Sequence, residues 1–529
     1  MFSKTGAFLV PICLLLVSCG GIQPAPSAPN RVAILPLENL SANPEWEWVG
    51  PALQVAVASQ FTGSRVARVL TAADRPSADQ TRANSVLDGY FTVAGGRLTL
   101  RAILRDNASG RNTQVVEFTE RAASDLPGFA RAVASAIGPP ARPVFTTSPN
   151  ALRDFATALA LSRHESRVPL LRRAIESDPV CGPAWTFLAR SLAAAGDRAG
   201  AMRAAAAALA PDRKLDPIDR AEIHWLAASL GDDRSAAVAA LLQLAALLPL
   251  DVDFALQAAA DALLASRFDA AAGVLEQAVK AEPGNAVLWN ELAYARAFAG
   301  WRDQALQAAV RCVSLAPAAA NPLDTSGEVY HLLGEFAPAA AAFEKAFTLD
   351  PAFLGGTTLL KAAEARLRLG DLKAADFLFE RFFSEAARGR SDRESLRERW
   401  LYFTGRAPRP SSQFTPFADD PASKVASLLE RREFRAAEPL LRRLGETSLP
   451  NTDGPVRILL AWVMMETGRD AEAAGLVHLY PPALLRGHPA LVALAWPREL
   501  DLRARLAQKA GDTAAAGRFR ELYRLYGGT

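Results

Sequence analysis

Cysteine and histidine, which often bind metals or take part in catalysis, are scarce in this sequence of 529 residues. No two of its four cysteines have C-x-x-C spacing, and no histidine stands in an H-E-x-x-H motif. These absences argue against a zinc site, so we predict no metal and no cofactor. The histidines are His164, His224, His331, His478 and His488.

Motifs that bind phosphates or activate a serine are also missing. The sequence contains no G-x-x-x-x-G-K-[ST], G-x-G-x-x-G or G-x-S-x-G. Gly95-Gly96 and Gly355-Gly356 lack a following phosphate-binding pattern and indicate turns. Helix capping or solvation explains the pairs Asp232-Asp233 and Asp419-Asp420 more simply than acid–base chemistry does. We therefore predict that the protein is not an enzyme and has no small-molecule substrate.

Neither sign of charge is in clear excess, since 59 basic and 56 acidic residues give a net charge of +3. This balance gives no reason to expect nucleic acid or an anionic membrane surface as the main partner. Beyond the first 20 residues the cysteines are Cys181 and Cys312. A disulfide needs Cα atoms within about 7 Å. These two lie roughly four repeats apart in the organisation described below, so we predict two unpaired thiols.

An apolar run near the beginning of the sequence ends abruptly at Cys19. The uncharged residues Thr5–Val17 are fewer than the roughly 20 that span a membrane, and they include Pro11. This favours a secretory signal peptide over residues 1–18. Leu16–Cys19 resembles a bacterial lipobox, which implies that Cys19 is lipidated and begins the mature protein. The alternative is an ordinary signal peptide, cut nearby, in which Cys19 is incidental.

Residues 19–30 have the composition of a tether. Gly20–Asn30 carries no charge and is rich in Gly, Pro and Ala, which favours extended stretches. In bacterial lipoproteins an Asp after the cysteine tends to retain the protein in the inner membrane. Gly20 in that position implies the outer membrane, facing the periplasm. We expect a lipid-anchored protein of the cell envelope that contacts the membrane through its anchor only.

Residues 31–140 mix strand and helix patterns. The β-type runs Arg31–Leu37 and Arg65–Ala72 flank a helical pattern at Trp48–Phe61. Alternating residues around Gly95-Gly96 predict a hairpin, and Thr113–Glu120 predicts a third strand before a final helix. The pattern indicates a small α/β domain with a mostly antiparallel meander.

The stretch "VAILPLENLSANPEWEWVG" in this region resembles the opening of TolB-amino-terminal-like and FlgO-like domains. "LDGYFTVAGGRLTLRAILRDNASG" is similar to a later part of the same family. Leu37 and Asn43 depart from the family pattern, which usually has Phe and Asp there. The resemblance implies an interaction or assembly module of the envelope rather than a catalyst.

Prolines punctuate the second region with a period of 34 residues, at Pro249, Pro283, Pro317 and Pro351. An apolar helical pattern precedes each of them. This spacing resembles that of the tetratricopeptide repeat, a pair of antiparallel helices that stacks on its neighbours. The resemblance gives a repeat-packing role to Trp185, Leu188, Ala189, Trp289, Leu292, Tyr330, Ala339, Phe343, Ala346, Pro283, Pro317 and Pro351.

A glycine is expected in the turn between the two helices of each hairpin, where it adopts positive φ as a C-cap. We predict a repeat array over 149–390, a Pro-rich interruption over 391–424, and degenerate hairpins with a C-terminal cap over 425–529. The predicted fold class is a small α/β N-terminal domain followed by an all-α tetratricopeptide superhelix, or α-solenoid. The turn glycines are Gly196, Gly300, Gly334, Gly370, Gly468 and Gly511.

In this fold the first helix of each hairpin lines the concave groove, which is where a protein or peptide partner would bind. Members that bind a terminal carboxylate use a Lys/Asn clamp there, whereas this sequence offers acids and aromatics. The alternative is that these side chains merely face water or the next helix, and His331 and Glu335 could form a solvated pair. The candidate groove residues are Asn290, Tyr294, Phe298, Asp324, Glu328 and His331.

Two functions stay open from the sequence. The favoured hypothesis is a membrane-anchored envelope scaffold that binds protein partners through its repeats without catalysis. The alternative is a sensory or regulatory protein that couples the N-terminal domain to signalling through the repeats. An enzyme with an unrecognised site ranks below both.

Overall fold

The computed structural model describes residues 30–41, 43–122, 125–231, 233–386, 393–406, 420–446, 454–482 and 489–526. The predicted signal peptide, Cys19 and the tether up to residue 29 lie outside these ranges, as do Asp232, Asp419 and His488. Contacts divide the described chain into two compact units. The N-terminal unit is the described part of Ala25–Asp261 with Gly273–Pro283, and the C-terminal unit is Ala262–Ala272 with the described part of Gly284–Thr529.

A mixed β-sheet begins the N-terminal unit. Its strands are β1 (Asn30–Ile34), β2 (Glu38–Asn39), β3 (Ala67–Thr71), β4 (Ser85–Ala94), β5 (Arg97–Asp106) and β6 (Asn112–Ala122). The order is β3-β1-β4-β5-β6, and the short β2 pairs with β4. β1 pairs with β3 and β4 in parallel, whereas β4, β5 and β6 are antiparallel.

The helices of this domain explain its mixed sheet. Parallel strands of one sheet need crossover connections, which α1 (Val49–Ser59) provides between β1 and β3, and α2 (Arg75–Gln80) provides between β3 and β4. The predicted antiparallel meander is therefore confined to β4–β6. Helix α2 was not predicted, although Asp74 caps it by accepting from the Ser77 amide at 2.8 Å. The predicted final helix is α3 (Leu126–Ile137).

The rest of the described chain is helical, and successive helices pair as hairpins, such as α12 with α13 and α14 with α15. A π-helical turn, Phe382–Ala386, continues α17. The helices are α4 (Pro149–Ala160), α5 (His164–Ser177), α6 (Gly182–Ala194), α7 (Arg198–Ala208), α8 (Pro217–Leu230), α9 (Arg234–Leu247), α10 (Val252–Leu264), α11 (Phe268–Ala281), α12 (Ala286–Phe298), α13 (Arg302–Leu315), α14 (Ala320–Leu332), α15 (Phe336–Leu349), α16 (Thr358–Arg368), α17 (Leu372–Arg381), α18 (Arg393–Phe403), α19 (Pro421–Glu430), α20 (Phe434–Glu446), α21 (Gly454–Glu466), α22 (Asp470–Leu476), α23 (Pro489–Lys509) and α24 (Thr513–Tyr526).

The fold class predicted from the sequence, a small α/β domain followed by helical repeats, is confirmed. Part of the predicted interruption is helical, since α18 and the start of α19 fall within 391–424. The predicted turn glycines all have φ between +79° and +87°, which a residue with a Cβ rarely adopts. They are Gly196, Gly300, Gly334, Gly370, Gly468 and Gly511.

Small residues let the two helices of a hairpin approach. A Cβ added to Gly327 of α14 would stand 2.6 Å from the ring of Phe343 in α15, so only glycine fits that crossing. Trp289 and Tyr330 are half-buried, and Pro317 and Pro351 are exposed after their helices. The other predicted packing residues that are buried are Trp185, Leu188, Ala189, Leu292, Ala339, Phe343 and Ala346.

In the N-terminal unit the sheet domain and the first hairpins share one hydrophobic core. The cluster runs from Val32 and Phe91 of the sheet to Phe155 and Leu188 of the helices. Packing therefore continues across the predicted limit at 140–149.

A buried ion pair reinforces that junction. Arg142, which follows α3, donates to the two carboxylate oxygens of Asp219 in α8 at 2.9 and 2.6 Å. Both side chains are 6% exposed. An ion pair as well as apolar contacts therefore joins the sheet domain to the first helical hairpins.

Cys181 and Cys312 are buried and, as predicted, form no disulfide with each other. Burial raises the pKa of the Cys181 thiol to about 12, so it stays protonated at neutral pH. Within the described ranges, no helix is both long and apolar enough to cross a bilayer.

Candidate protein-binding site

The candidate groove residues lie on the first helices of consecutive hairpins, α12 and α14. Asn290 and Asp324 occupy equivalent positions 34 residues apart, as do Tyr294 and Glu328. Within each helix the candidate residues recur every three or four positions, which places their side chains on one face of the helix. We call this the polar helix face, and it continues onto α16 through Lys361, Glu364 and Arg368.

Between α12 and α14, the polar helix face is joined by hydrogen bonds. The Tyr294 hydroxyl donates to Glu328 Oε2 at 2.8 Å. The Thr325 hydroxyl donates to the Asn290 side-chain oxygen. Asn290 and Glu328 are buried, and Tyr294 is half-buried. These side chains therefore meet the next helix, which was the simpler of the two interpretations of the sequence.

Phe298, the third candidate on α12, lies in an aromatic cluster. Its ring centroid is 5.5 Å from that of Phe268 and 6.4 Å from that of Tyr294, on which it stacks. Phe298 is buried. Its role in the structure is to pack α12, and its role in binding a partner stays a prediction.

A buried ammonium connects α14 to α16. Lys361 Nζ lies 2.8 and 2.6 Å from the two carboxylate oxygens of Asp324 and also contacts Glu328. All three side chains are at most 6% exposed. Two carboxylates thus share one cation, which offsets the cost of removing these charges from water.

Further along, Arg368 of α16 donates to both oxygens of Glu499 in α23 at 2.7 and 2.9 Å. Arg503, one turn after Glu499, donates to the same carboxylate at 2.9 Å. Burial raises the pKa of the Glu499 carboxyl, but Arg368 and Arg503 outweigh that effect and lower it to about 2. Glu499 is therefore ionised at neutral pH.

His331 is fully buried at the end of α14. Its Nδ1 lies 2.5 Å from the backbone oxygen of Tyr480, so Nδ1 carries the hydrogen and donates to that carbonyl. Burial, reinforced by the nearby Arg368, lowers the pKa of His331 to about 3. The solvated pair with Glu335 that the sequence suggested is not formed, because Glu335 contacts Arg302 instead.

The segment Val477–Pro482, which follows α22, lies against the end of α14. We call it the docked segment. Tyr480 N donates to the Leu332 carbonyl at 3.0 Å, and Arg503 Nη2 donates to the Leu479 carbonyl at 2.8 Å. The docked segment therefore covers the polar helix face at His331.

Beside this face, a cavity lined by Arg368, Pro481 and Glu499 measures about 10 Å³, which is about enough for one water molecule. In the described part of the chain, no three His, Cys, Asp or Glu side chains are placed to hold a metal ion together.

The N-terminal unit contains a larger hollow of about 300 Å³. It lies between a loop of the sheet domain, at Gly63 and Arg65, and the helices α8 and α9. Arg142 and Asp216 also line it. This volume is at the lower end of the range for small-molecule sites, roughly 300–1,000 Å³.

Sequence reasoning missed the polar residues of α16 and α23. Lys361 follows Asp324 by 37 residues rather than 34, because a 3₁₀ turn at Phe353–Gly356 interrupts the period. A search that allowed a shift of three residues after Pro351 would have found Lys361. No local signal in the sequence pairs Glu499 with Arg368.

Comparisons with known proteins find similarity over parts of this chain. The family described as "Tetratricopeptide repeat" matches residues 323–353, which cover most of α14 and all of α15. Over 125 residues the chain is 35% identical to the Hsp70-Hsp90 organizing protein of Triticum aestivum. That stretch is 23% of this chain and 22% of the relative.

Similar solved structures include MamA 41-end from Desulfovibrio magneticus RS-1, at 21% identity and a TM-score of 0.26. That match covers 32% of this chain and 96% of the other. A tetratricopeptide repeat protein from Parabacteroides merdae ATCC 43184 matches at 15% identity with a TM-score of 0.29, covering 46% and 94% of the two chains. The family match over 323–353 shows that α14 and α15 include a tetratricopeptide repeat.

Proposed function

We propose that this protein is a membrane-anchored scaffold of the bacterial cell envelope that binds protein partners through its repeats and performs no catalysis. The observation that carries the proposal is the tetratricopeptide repeat at 323–353, which α14 and α15 form. Repeats of this kind present side chains of successive first helices to an extended ligand.

The anchor rests on the sequence of the first residues, which lie outside the described ranges. Leu16–Cys19 resembles a lipobox, and an uncharged stretch follows it to Asn30. Two or more acyl chains hold a protein stably, at roughly 0.8 kcal/mol per buried CH₂. Gly20 favours the outer membrane, with the repeats facing the periplasm.

Metabolic labelling with a lipid precursor tests the anchor. We expect the wild-type chain to take up label and fractionate with the outer membrane, and Cys19→Ser to do neither. Cys13→Ser is the matched control, because Cys13 precedes the lipobox and its loss leaves Cys19 available. Label that persists in Cys19→Ser would reject the lipobox.

Crosslinking in the native envelope followed by mass spectrometry tests the scaffold. We expect the wild-type chain to recover the same protein partner repeatedly, and the unanchored Cys19→Ser chain to recover less of it. If no protein is recovered, and a strain lacking the gene assembles a normal envelope, the scaffold proposal fails.

The sheet domain supports an envelope role by its resemblance to TolB-amino-terminal-like and FlgO-like domains, which implies an assembly module. Val32, Leu37 and Leu87 of this region are core residues, which accounts for the apolar part of the matched stretches. Partner binding by this domain is part of the same proposal.

A second candidate is a regulatory protein that passes a signal from the sheet domain to the repeats. The hollow of about 300 Å³ at Arg65 and Arg142 favours this candidate, because both the sheet domain and the helices α8 and α9 line the hollow. A ligand there would contact α8 as well as the sheet domain. Thermal stabilisation of the wild-type chain by an envelope metabolite, lost in Arg65→Ala, would support this candidate over the first.

A further inference from the structure

The docked segment, Val477–Pro482, contacts α14 in the way that a bound peptide contacts its receptor. It is neither helix nor strand, and groups from other elements satisfy its backbone. Tyr480 N donates to the Leu332 carbonyl at 3.0 Å, and His331 Nδ1 donates to the Tyr480 carbonyl at 2.5 Å. Arg503 donates to the carbonyls of Val477 and Leu479. Main-chain hydrogen bonds of this kind bind extended peptides irrespective of their side chains.

The Tyr480 ring occupies a slot that we call the tyrosine slot, formed by Gly334, Phe336 and Arg503. The Phe336 ring meets it edge-on with centroids 5.3 Å apart. The Arg503 guanidinium carbon lies 3.6 Å from its centroid. A Cβ on Gly334 would stand 3.1 Å from the ring, so glycine allows this approach. The slot thus presents the Phe336 ring, the Arg503 cation and the space beside Gly334 to one aromatic side chain.

Tyr480 has the features of a ligand side chain more than those of a core residue. It stays half-exposed, whereas Pro481 and Pro482 after it are buried. A residue before proline favours extended backbone, which keeps the carbonyls of the docked segment available to other groups. The sequence that fills the slot is therefore an aromatic residue followed by prolines.

We propose that the docked segment is a tethered ligand that closes the His331 end of the polar helix face. A partner would bind there as an extended peptide that places an aromatic side chain in the tyrosine slot, and it must first displace Tyr480. This inference rests on the proposed function, because it assumes that the repeats bind a protein partner.

A tethered ligand competes strongly with a free one, because tethering gives an effective concentration in the millimolar range. The apparent Kd of a free peptide is inversely proportional to the fraction of slots that stay open, so it rises with the fraction that the tether fills. Removal of the Tyr480 side chain should lower that fraction. We therefore expect tighter peptide binding to a variant that lacks it.

The test uses the full chain and a fluorescein-labelled peptide with the sequence of residues 476–482, LVHLYPP. Fluorescence polarisation should give a Kd for Tyr480→Ala at least tenfold lower than for the wild type. His478→Ala is the matched control, because His478 lies in the same segment but is exposed and bonds only its neighbour Gly475. Its Kd should equal the wild-type value, and a peptide with its tyrosine changed to alanine should not bind.

Equal Kd values for Tyr480→Ala and the wild type, or no binding to either, overturn the inference. Circular dichroism confirms that the variant is folded, and Tyr480→Leu replaces it if it is not. The envelope crosslinking described above is independent of this peptide. If crosslinking recovers a partner but the peptide result is negative, the scaffold proposal stands and the tethered ligand is rejected. If the peptide result is positive but crosslinking recovers no partner, the tethered ligand stands and the scaffold proposal is rejected.

Discussion

The Arg368 guanidinium and the Glu499 carboxylate, 131 residues apart in the chain, form two hydrogen bonds of 2.7 and 2.9 Å inside the C-terminal unit. Both side chains are at most 5% exposed. Arg503 donates to the same carboxylate. One acid thus serves two guanidinium groups and connects the repeat helix α16 to α23, next to the docked segment.

Glu499→Gln should destabilise the C-terminal unit by about 3 kcal/mol, because it leaves two buried cations without their shared countercharge. Chemical denaturation of the full chain, followed by tryptophan fluorescence, measures the change. Glu433→Gln is the control, since its pair with Arg431 is largely exposed and contributes about 0–1 kcal/mol. Similar losses for the two variants would contradict the buried network.

Acid should destabilise the wild-type chain in two steps that His331 and Glu499 determine. The folded state holds the pKa of His331 at about 3, below the usual 6.5, so the unfolded state binds the proton first. Stability from neutral His331 is complete above pH 6.5 and decreases as the pH falls towards 3. The Glu499 pKa of about 2 adds a loss between pH 4.5 and 2.

His331→Gln isolates the first step. Between pH 6.5 and 4.5 the wild type should lose about 2 kcal/mol more than this variant, because over that range its unfolded state binds the His331 proton and its folded state does not. Denaturation midpoints at pH 7, 5.5 and 4.5 provide the measurement. His164→Gln is the control, because His164 is exposed. An unchanged pH dependence in His331→Gln would show that His331 is not held neutral.

Gly334→Ala should destabilise the chain more than Gly300→Ala. Both glycines have φ of +79° in equivalent turns, so both variants carry the strain of a left-handed residue, about 1 kcal/mol. A Cβ at Gly334 also meets the Tyr480 ring, whereas nothing lies within 4 Å of one at Gly300. The difference in melting temperature should disappear when both variants also carry Tyr480→Ala, as a double-mutant cycle reveals.

Tyr294→Phe removes the donor that reaches Glu328 from the preceding repeat. A hydrogen bond to a charged acceptor contributes about 1.5–3 kcal/mol, so we expect a loss of that order in unfolding free energy. Tyr90→Phe, at a residue 36% exposed, should change it by less than about 0.5 kcal/mol. No difference between the two would mean that Tyr294 does not couple the repeats.

The local features of the helical hairpins could be read from the sequence. The positive φ of Gly300 and Gly468 follows from their place after a helical pattern, because a C-cap favours glycine wherever the helix lies. The capping role expected for acid pairs also follows from local geometry. Asp233 accepts from the Ala236 amide and Asp420 from the Ser423 amide.

The sheet shows where local patterns stop being sufficient. The hairpin of β4 and β5 was predicted because a two-glycine turn joins alternating residues. The position of β1 between β3 and β4 was not predicted. Parallel neighbours are joined by crossovers, and the sequences of the strands do not indicate the direction in which a crossover runs.

The sequence alone determined that hairpins recur with a period of 34 between Pro249 and Pro351, where the six hairpins with a turn glycine reverse direction, and most of the residues that pack inside the repeats. These properties depend on neighbours within a few residues or on a repeated pattern. Only the tertiary structure decided that Lys361 neutralises Asp324, that Glu499 joins Arg368 to Arg503 and that Tyr480 covers His331. A buried charge needs a partner, but nothing in its own stretch of sequence says which distant residue the packing of helices will bring to it.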